Sequence, residues 1–75
     1  MVLMTIRRDQ LAAYETVGKR LGKTVKVVAR EGEMYETSSR SVAYVAEGQV
    51  LILIEPSGTN MPDFYAAVRD ELAGG

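Results

Sequence analysis

Seventy-five residues allow one small domain, and a content of 47% apolar and 25% charged residues is that of a folded chain rather than a disordered one. With no cysteine and no histidine, disulfides, thiolate or imidazole metal ligands, and nucleophilic catalysis of the Cys–His or Ser–His kind are excluded. The net charge of −1 conceals a split. Residues 1–30 hold Arg7, Arg8, Lys19, Arg20, Lys23, Lys26 and Arg30 against Asp9 and Glu15, whereas beyond residue 30 Arg40 and Arg69 face all the remaining acids.

Residues 1–6 are apolar without clean alternation and read either as a short strand or as a frayed lead-in. A helix is expected from Asp9 to Leu21, because Leu11, Tyr14, Val17, Gly18 and Leu21 recur on one arc at helical spacing. Asp9 suits the N-cap, Glu15 and Lys19 form a favourable i,i+4 pair, and Gly22 suits the left-handed residue that ends a helix.

Lys23–Arg30 then alternates as a strand. Glu31-Gly32 reads as a hairpin turn into a short charged return strand, Glu33–Thr37, whose brevity suits an edge. Ser38-Ser39-Arg40 is a turn or bulge, Ser41–Ala46 another strand, and Glu47-Gly48 a second hairpin turn. The strongest signal in the chain comes next. Gln49–Glu55 encloses the unbroken apolar run Val50, Leu51, Ile52, Leu53, Ile54 between Gly48 and Pro56. A half-exposed strand would alternate, so this one is expected to be covered on both faces.

Pro56-Ser57-Gly58-Thr59 is a turn cluster, and Asn60 as cap with Pro62 in the first turn opens a second helix. Met61, Phe64, Tyr65, Val68 and Leu72 make its apolar stripe. The fold class is therefore α+β: a single domain over residues 1–75, a two-layer sandwich in the order helix, antiparallel three- or four-stranded meander, helix. If both helices lie on one face, the other side of Val50–Ile54 needs cover from a crossing helix or from another molecule.

Ser38, Ser39, Ser41 and Ser57 are turn formers with no base nearby in the pattern. The acids show no calcium-loop spacing, and Gly58 lacks the glycine-rich run and lysine of a phosphate loop. We therefore expect no catalytic group, metal, cofactor or small-molecule substrate, and a non-enzymatic protein. Tyr35 and Tyr44 on strands, together with Val50, Leu51, Ile52, Leu53 and Ile54, are the candidate interface for a protein partner. A homodimer through sheet face or edge is the first expectation, since a small domain without staples gains stability by self-association. The alternative is a nucleic-acid backbone binder using Arg7, Arg8, Lys19, Arg20 and Lys23. Without interleaved aromatics that patch could hold phosphates but not read bases. No stretch has the length of a membrane span or the pattern of a signal peptide, so a cytoplasmic protein with no membrane partner is expected.

Overall fold

The computed structural model describes residues 1–74. In chain order the elements are β1 (Val2–Arg7), a 3₁₀ turn (Arg8–Gln10), α1 (Leu11–Arg20), β2 (Thr24–Arg30), β3 (Met34–Glu36), β4 (Val42–Tyr44), β5 (Gln49–Glu55) and α2 (Met61–Leu72). Together they form an α+β sandwich of helices on antiparallel sheet. The apolar run is the middle strand of the larger sheet, whose order is β1-β5-β2.

Residues 2–7 are a full strand, because every one of them pairs with β5, from Val2 opposite Ile54 to Arg7 opposite Gln49. Both β1 and β2 run antiparallel to β5, so they are parallel to each other. A parallel pair needs a crossover, and α1 supplies it. The unit is a split β-α-β with β5 inserted between its strands.

This topology keeps one expected neighbour pairing, β3 with β4 across the turn at Ser38-Ser39-Arg40, and replaces the other two. The Glu31-Gly32 and Glu47-Gly48 turns do not close ladders between the strands that flank them; β2 pairs with β5, and β3 pairs with β4 in a separate two-stranded sheet. The physical reason is burial. An apolar strand such as β5 is stabilised most by an apolar neighbour along its whole edge, and three-residue β4 offers less than seven-residue β2 with Val25 and Val27. The β3–β4 hairpin closes over the expected turn at Ser38-Ser39-Arg40, where the Thr37 N–H donates to Ser41 O (2.8 Å) and Arg40 N–H to Thr37 O (2.9 Å). Arg40 takes a left-handed φ of 65° there.

The first helix also starts later than expected. Arg8 N–H is still engaged in the sheet, donating to Gly48 O at 2.8 Å, so the chain passes through the 3₁₀ turn before α1 begins. Asp9 caps nothing; it pairs with Arg7 at 3.0 Å, and Gln10 is the N-cap without a side-chain bond. The end of α1 follows the expectation: Gly22 has φ 74°, and Lys23 N–H donates to Gly18 O at 2.7 Å, the six-to-one bond of a Schellman cap. Helix α2 begins at Met61 with Pro62 in its first turn. The Asn60 carbonyl, rather than its side chain, accepts from Phe64 N–H at 3.0 Å.

The two faces of β5 are covered differently. Val50, Ile52 and Ile54 lie in the main core with Ile6, Val17, Met61, Phe64 and Val68. On the other face Leu51 is buried with Ala29 and Val45. An irregularity between Val27 and Ala29 in β2 lets Ala29 face Leu51 in register, as a bulge that reverses side-chain parity does. Val45, just past β4, is fully buried. It is held by Gly32 N–H donating to its carbonyl (2.9 Å) and by its own N–H donating to Glu33 O (3.0 Å). The cover over the second face is thus the chain's own hairpin, where the sequence pointed to a crossing helix or another molecule.

Close approach of α1 to β2 depends on Gly18. A Cβ there would stand 3.0 Å from Lys23 O and 3.1 Å from Val25 Cγ2. Helix propensity favours alanine by up to ~1 kcal/mol, but overpacking against a backbone carbonyl costs ~1–3 kcal/mol. Gly18→Ala should therefore lower stability by about 1–2 kcal/mol in urea unfolding. Val45→Ala should cost about 2 kcal/mol by uncovering Leu51.

Candidate interaction surface

The hairpin has two unlike faces, set by its register. Met34 lies opposite Tyr44, Tyr35 opposite Ala43, and Glu36 opposite Val42. Residues opposite each other share a face and neighbours alternate. Tyr35 and Ala43 therefore turn inward, packing against the Leu51 cluster. Met34, Val42 and Tyr44 turn outward and are 68%, 56% and 64% exposed.

The backbone adds to this surface. Bonds from Val45 N–H to Glu33 O and from Thr37 N–H to Ser41 O fix which pairs exchange hydrogen bonds across the hairpin. By alternation, Met34, Glu36, Val42 and Tyr44 direct their N–H and C=O groups away from it. No further strand pairs with β3 or β4 among the described residues. The outer face therefore combines three exposed apolar side chains with two open strand edges. Its surroundings carry several acids, with Arg30 and Arg40 exposed among them. Glu31 is engaged, accepting from Gly48 N–H at 2.9 Å and lying 3.7 Å from Arg8. Glu33 accepts from Arg30 N–H at 2.6 Å. Glu36 and Glu47 are exposed.

Of the residues proposed as an interface from sequence, Val50, Leu51, Ile52 and Ile54 are buried within the chain. Leu53 and Tyr35 are half-buried, and Tyr44 is open. Tyr35 and Tyr44 do not share a surface, because the hairpin register sends them to opposite faces. Met34 and Val42 are the members that sequence reasoning missed. Val42 shares the face of Tyr44 by alternation along one strand, a signal present in the sequence, whereas Met34 joins them only through the β3–β4 register.

The basic patch is dispersed and largely matched by acids. Arg7 meets Asp9, Arg8 meets Glu31, and Arg20 meets Glu71 at 3.2 Å. Two of these three pairs join the basic N-terminal stretch to the acidic remainder. Such exposed pairs contribute little to stability, but they lower the local positive potential. Lys23 is 5% exposed and its ammonium donates to Pro56 O, so it serves the turn after β5 rather than a surface patch. Only Lys19, of the five, is exposed without such an ion pair among the described residues. A cleft of about 340 Å³ beside it is lined by Glu15, Lys19, Lys23, Thr24 and Val25. Glu15 there opposes the entry of an anion. A second cleft, of about 350 Å³, sets Asp9 and Glu47 beside Arg7 and Arg8. Among the described residues no cluster of three or more acids is placed to hold a metal, and no helix is long and apolar enough to cross a membrane.

No protein-family model, curated protein or solved structure matches this chain.

One titratable group reports on the packing between the helices. Tyr14 lies 6.2 Å from Phe64, ring centre to ring centre, and burial raises its phenol above the usual 10.0, with Tyr65 adding to the shift. The folded protein then holds this proton more tightly than the unfolded chain, so stability is fully present below pH 10.0 and declines as pH rises further. Chemical denaturation at increasing alkaline pH should show that decline, and Tyr14→Phe should flatten it.

Proposed function

We propose that the protein is a non-enzymatic binding module whose partner is another protein, engaged through the outer face of the β3–β4 hairpin. The observation that carries this reading is the outward set Met34, Val42 and Tyr44 on a ribbon with open edges. Burying side chains of this size contributes about 1.5–3 kcal/mol each. Together that offsets much of the cost of association, about 4–15 kcal/mol. Strand addition along β3 or β4 would supply directional hydrogen bonds. Glu36 and Glu47 at the margin favour a partner with an apolar centre and a basic rim.

The reading as a nucleic-acid backbone binder is the weaker one. Counterion release scales with the phosphates neutralised, and here each arginine of the patch already lies beside a carboxylate while Lys23 is buried.

Immobilised wild-type chain should retain a protein from its native host that a Tyr44→Glu or Met34→Lys chain does not. The isolated pair should lose at least about ten-fold in affinity, as expected of an interface anchor, with the thermal midpoint unchanged. Arg7→Glu with Arg8→Glu should leave that affinity intact. The reverse pattern, loss with the arginine variants and none with the hairpin variants, would refute the reading.

A further inference from the structure

A second open edge lies on the opposite side of the sheet from β2. Strand β1 borders only β5. Arg8 N–H donates to Gly48 O, which extends the β1–β5 register by one step and makes the even-numbered residues of β1 the ones hydrogen-bonded to β5. The N–H and C=O groups of Leu3 and Thr5 therefore point outward, and no backbone or side-chain partner meets them among the described residues. Thr5 is exposed, and Val2, Leu3 and Met4 are only half-buried.

Folded proteins protect such edges with charge, proline, bulges or brevity. The other edges here have those devices. Strand β2 is interrupted between Val27 and Ala29 and carries Lys26 and Arg30; β3 and β4 are open but offer only three residues each. Strand β1 has none of them. It is regular, it lacks glycine and proline, and its one charge, Arg7, is at its end and paired with Asp9.

We propose that β1 pairs with β1 of a second copy, antiparallel about a two-fold axis at Met4. In that register Leu3 of each copy faces Thr5 of the other, so every outward donor and acceptor of these two residues finds a partner. Met4 stands opposite Met4 of the second copy, and Val2 opposite Ile6. The half-buried Val2 and Met4 of both copies close over one another, which continues the helix-side core across the axis. No charged residue between Val2 and Ile6 opposes its own copy. A second copy is the occupant because this register satisfies the edge by symmetry alone. The three-stranded sheets join into one, and the dimer carries two hairpins. This inference shares with the protein-binding reading the premise that open edges are contact sites, but it uses a different surface.

Single-cysteine variants test it, since the chain has no cysteine of its own. Positions opposed in a non-hydrogen-bonded antiparallel pair lie within disulfide reach. Under glutathione disulfide, Met4→Cys should form a covalent dimer and the exposed-helix control Ala12→Cys should not. Wild type should double in mass between micromolar and millimolar concentration by light scattering, with slowed amide exchange at Leu3 and Thr5. Thr5→Pro should remain monomeric with its circular dichroism unchanged, because that N–H serves no bond within the chain. A wild type that is monomeric at millimolar concentration, with fast exchange at Leu3 and Thr5, overturns the proposal. So does a dimer that survives Thr5→Pro. Cross-linking by Met34→Cys in place of Met4→Cys also overturns it, and would move self-association to the hairpin while leaving the protein-binding reading standing.

Discussion

An apolar strand with no polar face must be covered twice, and the arrangement of this protein follows from how β5 meets that demand. Five consecutive apolar residues in a chain of this length leave no side of the strand that water can occupy cheaply. Helices α1 and α2 take the face of Val50, Ile52 and Ile54. The short hairpin takes Leu51 through Val45. Edge pairing obeys the same demand. Strands β1 and β2 both border β5, and satisfying both at once makes them parallel to each other and makes α1 a crossover.

The second cover creates the surface on which function is proposed to rest. A hairpin of three-residue strands is marginal alone, and here it is anchored by its inward residues, Tyr35, Ala43 and Val45. Period-two alternation then leaves Met34, Val42 and Tyr44 outside. Their exposure is a consequence of burying Leu51 with so small an element. Electrostatics obey the same topology. Strand β1 leads its arginines to the end of the sheet where Gly48 and Glu31 lie, and the packing of α1 against α2 brings Arg20 to Glu71. The charge asymmetry along the chain is therefore partly cancelled in space.

Local signals made much of this legible. The stripe Leu11, Tyr14, Val17, Gly18, Leu21 and the Pro62 helix start identified both helices, Gly22 marked the Schellman end, and the Val50–Ile54 run marked the central strand. Partner choice was legible for β3 with β4 across Ser38-Ser39-Arg40 and not for β5. Hairpin turns at Glu31-Gly32 and Glu47-Gly48 looked sufficient to pair neighbours, yet nothing local records that β5 gains more from distant β1 and β2. Asp9 as a cap failed for a related reason, since the sheet holds the backbone through Arg8. Lys23 belonged by charge to a surface patch and by packing to the interior. The candidate surface suffered most: Val42 was legible beside Tyr44 by alternation, but Met34 joins them only through the β3–β4 register.

The most direct test of the central claim is whether Val45 covers Leu51 within one chain. Methyl nuclear Overhauser effects between Val45 and Leu51, recorded on dilute protein and again on a mixture of labelled and unlabelled chains with isotope filtering, distinguish the cases. A strong contact is expected, wholly intramolecular and independent of concentration. A contact seen only between chains, or none while Leu51 stays protected, would mean that another molecule covers the second face of β5.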